Sequence, residues 1–219
     1  QMCIRDRDIF EHGQAISPII KKVENRIRGF VQIQNGCDHR CTFCIIPYGR
    51  GDSRSVEPEN VVNQINTLLD QGYKEIVLTG VDLTSYGHDL ENKPNLATLV
   101  SHILFSIPNL KRLRLSSLDV AEIDKNLMDL IKYEKRILPH IHLSLQAGDN
   151  MILKRMKRRH LYRDVINFVK EAKRRRNDIV FGGDFIAGFP TEDEKAHHKS
   201  MQLITCLLYT SDAADDHHR

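Results

Sequence analysis

The sequence predicts an α/β fold: a partial (β/α) barrel around a polar interior, truncated at its C-terminal end. Three observations predict it. Apolar strands and amphipathic helices follow one another through five strands, the order of a parallel βα series. Two of those strands carry polar residues at every second position, whereas strands covered on both faces read as nearly continuous apolar runs. Finally, Cys37, Asp82, Ser116, Gln146 and Asp184 all fall at or near C-terminal strand ends, where βα barrels carry their chemistry.

The first strand is expected at 30–34. The helix at 59–71 turns Val61, Val62, Ile65, Leu68 and Leu69 to one face. Pro58 stands near its start and Gly72 just past its end, where each residue type belongs. The strand 75–79 stops at Gly80. A helix at 95–106 places Leu96, Leu99, Val100 and Ile103 inward and is ended by Pro108. The strand 111–116 sets Arg112, Arg114 and Ser116 opposite Leu113 and Leu115, and a helix follows at 123–133. The strand 140–146 repeats the alternation, with His140, His142, Ser144 and Gln146 opposite Ile141, Leu143 and Leu145. A helix at 161–175, a strand at 179–187 closed by Gly188-Phe189-Pro190, and a helix at 193–204 complete the series. Helices must cover the leucine faces, so the polar faces require a wet, concave interior. A barrel supplies one and a flat doubly wound sheet does not.

At 219 residues, the chain is long enough for one large domain with its own core. Its 41% hydrophobic and 28% charged content is ordinary for a globular protein, and a net charge of +3 names no partner. No stretch approaches the ~18 apolar residues of a membrane helix, and no membrane partner is expected. Five cysteines, three of them crowded together, fit a reducing, cytoplasmic setting better than a disulfide framework. The ends match nothing in the rest of the chain. Residues 1–11 and 206–219 are therefore read as foreign or disordered, leaving Cys3 and Cys206 without function and 12–205 as the core domain.

Cys37, Cys41 and Cys44 form a C-x3-C-x2-C loop directly after the first strand. Three thiols so close can converge on one centre, one ligand short of the usual four. A cubane iron–sulfur cluster held this way keeps one iron open to a small ligand carrying an amine and a carboxylate. The alternative is zinc with His39 as fourth ligand, although a spacing of two residues from Cys37 makes that convergence awkward. Three buried thiols are a further alternative, which the polar neighbours Asp38, His39, Arg40 and Thr42 oppose. Lys154, Arg155, Lys157, Arg158, Arg159 and His160 form one basic run and 173–176 another; both suit a phosphate backbone or a solvated helix surface.

With Phe43 just before its third cysteine, the loop resembles that of the radical S-adenosylmethionine superfamily. The flanking residues 36–51, 78–87, 143–148, 153–158 and 184–192 resemble its methylthiotransferase family, over about 12–195. The branch most resembled modifies threonylcarbamoyladenosine in tRNA. Sister branches act on isopentenyladenosine in tRNA or on a ribosomal-protein aspartate.

The resemblance implies a [4Fe-4S] cluster on Cys37, Cys41 and Cys44, with S-adenosylmethionine on the open iron. Cleavage of that cofactor gives a 5′-deoxyadenosyl radical, and a methylthio group is added to C2 of the base beside the anticodon. Phe43, Gly80, Asp82, Ser144, Gln146 and Arg158 become candidate contacts of S-adenosylmethionine, with Arg158 offering a fork to its carboxylate. Asp184 is a weaker candidate. A second [4Fe-4S] cluster belongs to an N-terminal domain, and a C-terminal domain binds RNA; both are expected to lie outside this sequence, leaving the fragment short of the complete reaction. The implied partners are tRNA at its anticodon region and an electron donor such as a flavodoxin-type protein. A non-catalytic zinc module that binds RNA is the reading from another class.

Overall fold

A computed structural model describes residues 26–209 of the chain. The described residues divide into two compact units. One holds the segment up to Arg40 together with Cys44–Leu110, and the other holds Cys41–Phe43 with the chain from Lys111 onward.

In the first unit, β1 (Arg28–Gln32) pairs in parallel with β4 (Glu75–Thr79), Phe30 opposite Val77. Between them come β2 (Gln34–Asn35), α1 (Ile46–Arg50), β3 (Arg54–Ser55) and α2 (Pro58–Asp70). The first strand begins and ends two residues earlier than the expected 30–34. Ile33 is the cause. Its N–H still donates to the Thr79 carbonyl at 2.9 Å, but its own carbonyl accepts the Val56 N–H at 2.8 Å. The chain thereby leaves the β4 ladder for a short antiparallel pairing of β2 with β3.

Helix α2 starts with Pro58 in its first turn and buries Val61, Ile65 and Leu68, the expected apolar face. Helix α3 (Leu96–Ser106) opens on Asn95, whose side chain accepts the Thr98 N–H. This cap satisfies one of the amides that a helix start leaves bare. Ile76 and Leu78 of β4 are fully buried, each stabilising the unit by roughly 1.5–3 kcal/mol.

The second unit contains β5 (Leu113–Leu115) and β6 (Ser117–Leu118), then α4 (Lys125–Tyr133) and β7 (His140–Gln146). Next come α5 (Asn150–Arg155), α6 (Tyr162–Arg175), β8 (Val180–Phe185) and α7 (Glu194–Tyr209). Strands β6, β7 and β8 form a parallel sheet in that order. Along β7, Ile141, Leu143 and Leu145 are buried while His140, His142, Ser144 and Gln146 are half-exposed, as the alternation predicts. The expected strand 111–116 is shorter, because Lys111 and Arg112 precede the ladder. Leu113 pairs instead with the segment before β7, its carbonyl accepting the Leu138 N–H.

Helix α7 runs five residues beyond the expected 204 and buries Leu207. Residues 1–11 and the last ten residues, on which the reading of foreign ends mostly rests, lie outside the described residues. Among the described residues no helix is long and apolar enough to cross a membrane.

Two short helices were not expected, α1 and α5. Helix α5 lies inside the basic run. Asp149 caps it, accepting the N–H groups of Met151 and Ile152 at 2.8 and 3.1 Å, and Lys199 of α7 reaches the same carboxylate at 2.6 Å. It ends in a Schellman motif: the Arg158 N–H donates to Leu153 O and the Lys157 N–H to Lys154 O. The motif needs a left-handed residue, and Lys157 fills it at φ +58. A side chain there costs about 1 kcal/mol that glycine avoids. Lys157→Gly is therefore expected to raise stability in urea unfolding by up to ~1 kcal/mol, while Lys157→Ala brings no gain.

Candidate metal centre

The cysteine loop leaves β2 through Gly36, which only glycine can occupy. Its φ is +76, and a Cβ there would lie 1.9 Å from the Asp52 carbonyl oxygen. The loop is then tied to the segment before β3. The Cys37 N–H donates to Gly51 O at 3.1 Å, and the Ser53 N–H donates to Asp38 Oδ1 at 2.8 Å. Arg40 reaches both the Cys37 carbonyl and Asp52, each at 3.3 Å.

Beneath this lies Gln34, fully buried. Its amide nitrogen donates to Gly36 O at 2.7 Å and Ser53 Oγ at 2.9 Å, while its oxygen accepts the Asp82 N–H at 2.9 Å. One side chain thus fixes the start of the cysteine loop and the turn after β4. That turn passes close because Gly80 has no Cβ; one would stand 2.9 Å from Gln34 Oε1. Sequence reasoning had Gln34 only as the end of a strand. Its one signal was a polar residue just before the loop.

Asp82 is buried and well supplied with donors. Ser85 Oγ donates at 2.6 Å, Thr84 Oγ1 at 3.1 Å, and His39 Nε2 stands at 2.8 Å. Burial works to raise its pKa, but the His39, Ser85 and Thr84 contacts outweigh burial and hold the carboxyl below its ordinary value. Cys37 Sγ is 3.9 Å from the same carboxylate. Cys37, His39 and Asp82 present ligand atoms that all lie within 4.8 Å of one another. His39 thus meets Cys37 beside Asp82, a different grouping from the three-cysteine set that His39 would complete in the zinc alternative.

In the second unit, Cys41–Phe43 is held by the C-terminus of α5. Thr42 donates its N–H to Met156 O at 3.3 Å and its hydroxyl to Arg155 O at 2.9 Å, using carbonyls a helix end leaves unpaired. Two residues on, Arg158 brings Nη1 to 4.0 Å from Cys41 Sγ. Its Nη2 donates to Asp119 Oδ2 at 2.9 Å and to the Ser144 carbonyl at 2.7 Å. Asp119 also receives Arg159 at 3.1 Å and faces His160 Nδ1 at 3.6 Å. Burial alone would raise the Asp119 pKa; His160, Arg158, the Ala121 N–H and Arg159 together hold it well below the carboxylate range.

The basic run accordingly divides. Arg158 and His160 turn inward, with side chains 8% and 0% exposed, and are not part of a solvated face. The second run is also largely engaged: Arg174 and Arg175 pair with Glu171, and Arg176 donates to the carbonyls of Ile131 and Ile137.

The other sequence candidates fall as follows. Phe43 is 39% exposed beside Thr42. Gln146 ends β7 at φ +69, past an irregularity in its pairing with β8; a non-glycine residue held there stores strain of the kind found at functional sites. Ser144 is half-exposed and uses its carbonyl on Arg158. Asp184 is exposed and engaged by His142 at 3.2 Å. The first unit brings Cys37 to Asp82, and the second brings Cys41 to Arg158 and Ser144.

Cys37, Cys41 and Cys44 are all outside disulfides and half-buried. Thiols in one short loop, partly accessible and without a protein cross-link, are a donor set that fits an iron–sulfur cluster.

A family model, the Radical SAM superfamily, matches residues 31–204. The chain is 48% identical to the threonylcarbamoyladenosine tRNA methylthiotransferase MtaB of Rickettsia prowazekii, over 90% of this chain and 47% of that protein. It is 43% identical to the enzyme of the same name from Aquifex aeolicus, over 81% and 43%. It is 38% identical to the tRNA-2-methylthio-N(6)-dimethylallyladenosine synthase of Lawsonia intracellularis, over 84% and 41%. The chain thus spans a little under half the length of these curated relatives.

Among solved structures, the radical S-adenosylmethionine methyltransferase TsrM of Kitasatospora setae, with cobalamin and a [4Fe-4S] cluster bound, superposes with TM-score 0.67. It is 18% identical, over 82% of this chain and 34% of that one. The cobalamin-dependent S-adenosylmethionine radical enzyme OxsB gives 0.65 at 15%, over 80% and 26%. The fold class expected from sequence, an α/β partial barrel of this type, is the one these structures share.

Replacing Gln34 by leucine strips partners from the Asp82 N–H and the Gly36 carbonyl, at about 1–3 kcal/mol for each buried group. A urea midpoint indistinguishable from the parent would contradict this. Asp119→Asn should flatten the acid limb of stability. The folded pKa of Asp119 lies below its unfolded value of about 3.9, so its contribution is complete above that pH and is lost as pH falls through the folded value. The parent therefore loses stability more steeply below about pH 4 than Asp119→Asn does, as thermal unfolding across pH will show.

Proposed function

The chain belongs to the radical SAM superfamily, and from that premise we propose that it is the radical-generating core of a tRNA methylthiotransferase. One observation carries the reading: three cysteines outside disulfides in a single short loop, within a chain 48% identical over nearly its whole length to a relative with that activity in its name. Residues 12–205 form this core. Cys37, Cys41 and Cys44 hold a [4Fe-4S] cluster, and Phe43, Gly80, Asp82, Ser144 and Gln146 serve S-adenosylmethionine, while the Arg158 fork that the resemblance offers to the cofactor is turned to Asp119, the Ser144 carbonyl and Cys41. When bound, that pair would supply radical chemistry: one electron from the external donor, spent on the cofactor's C5′–S bond, would leave methionine and a 5′-deoxyadenosyl radical able to take hydrogen from an unreactive carbon.

The chain's own residues present and orient. Gln34 holds the loop entrance and the Gly80–Asp82 turn in one arrangement. Asp82 stays ionised, and the α5 C-terminus holds Thr42.

The substrate of the whole protein is threonylcarbamoyladenosine beside the tRNA anticodon, modified at C2. Identities of 48% and 43% to two relatives named for that nucleoside support it, while a third so named, from Bacillus subtilis, is 36% identical against 38% for the Lawsonia relative. A second [4Fe-4S] cluster on a separate N-terminal domain, a flavodoxin-type electron donor and a cytoplasmic location complete the proposal. Isopentenyladenosine or a ribosomal-protein aspartate is the sister substrate. Nucleoside analysis of tRNA from a strain lacking the full-length gene decides: loss of the methylthio group from threonylcarbamoyladenosine is expected, and loss from isopentenyladenosine overturns the assignment.

The convergence of Cys37, His39 and Asp82 within 4.8 Å favours a second reading, a mononuclear zinc module that binds RNA. Anaerobic reconstitution with iron and sulfide separates the two. The cluster gives a brown protein absorbing near ~400 nm, with the colour lost in Cys41→Ala. A colourless protein with one zinc per chain, unable to cleave S-adenosylmethionine under dithionite, sinks the enzyme reading.

A further inference from the structure

We propose that Arg158, clamped by Asp119, is the positioning residue for Cys41 and eases one-electron reduction of the centre that Cys41 serves. The inference rests on the cluster reading above and goes beyond it. A salt-bridged arginine is ordinarily a surface feature, but this one is not. Its side chain is 8% exposed, its partner Asp119 is 5% exposed, and its Nε is buried with no hydrogen-bond partner among the described residues. Burying a guanidinium is costly unless its charge is used.

The charge is aimed. One terminal nitrogen is spent on Asp119 and the Ser144 carbonyl, which fixes the plane of the group, and the other faces Cys41 Sγ at 4.0 Å. The backbone supports the aim from both sides. The Schellman turn that ends α5 places Arg158 through its N–H to Leu153 O, and the same helix end takes the N–H and hydroxyl of Thr42. Three residues, Arg155, Met156 and Arg158, therefore grip this segment, the first two holding Thr42 by backbone carbonyls and the third facing Cys41 with its charge.

A thiolate-ligated cluster gains one negative charge when it accepts one electron, with no bond formed or broken. A fixed cation and N–H donor beside a ligand sulfur stabilises that added charge and raises the reduction potential. Asp119 holds the guanidinium in place through Nη2, which leaves Nη1 facing the sulfur.

The test is an anaerobic redox titration of the reconstituted chain, monitored by electron paramagnetic resonance, with dithionite as reductant. Iron and sulfide content is assayed in parallel. Arg158→Met and Arg158→Gln both remove the charge, and Gln keeps an N–H donor towards Asp119 should Met fail to fold. Each is expected to retain the cluster but to lower the reduced-to-oxidised ratio, at the parent's midpoint potential, by about tenfold. Arg158→Lys keeps the charge and is expected to stay within about threefold of the parent.

A neutral variant that loads iron and titrates with the parent overturns the proposal, as does a Lys variant shifted as far as the neutral ones. Neutral variants that keep the parent's circular dichroism but no longer hold iron, while Lys does, support it. A parent chain that forms no cluster overturns the proposed function instead, so the two failures are distinguishable.

Discussion

A short polar loop keeps one backbone course only where something outside it ties it down, and each unit of the described structure supplies such a tie to its part of the cysteine loop. In the first unit the tie is Gln34, a fully buried amide with a donor or acceptor bond on each of its polar atoms. In the second it is the C-terminus of α5, whose spare carbonyls take Thr42. Both use groups that would be expensive to bury unsatisfied. The loop's geometry is thereby made part of the stability of the elements that carry it.

The same economy explains the charges. Asp82 and Asp119 are buried carboxylates, each held ionised by donors from short neighbouring segments, and each lies one contact away from a cysteine or from the arginine beside one. Their burial would be a liability in an ordinary core. Around the cysteines it supplies a fixed electrostatic setting, with His39 and Cys37 both on Asp82 in one unit and Arg158 between Cys41 and Asp119 in the other.

Much of the fold was legible in the sequence, for reasons visible element by element. Strands β4 and β7 lie where expected because a continuous apolar run and a strict alternation are unambiguous patterns. Helix α2 announced itself by Pro58, Gly72 and one apolar face. Short elements were not legible. Helix α5 has only Ile152 and Leu153 buried, and its basic residues read as a solvated surface. The cysteine loop stood out in the sequence as a candidate ligand set, by its three closely spaced thiols. Its supports were not. Gln34 looked like the end of a strand, and Arg158 and His160 looked like members of a basic patch until the fold turned them onto Asp119. Composition records charge, but burial of charge emerges only from tertiary structure.

In the proposed centre the three cysteines leave one iron of a cluster open to a cofactor. Mössbauer spectroscopy of the chain reconstituted with iron-57 tests it most directly. The expected result is a [4Fe-4S] spectrum in which one iron site becomes distinct from the other three when S-adenosylmethionine is added. A spectrum in which added S-adenosylmethionine perturbs no iron site, or a chain that holds no cluster at all, would contradict it.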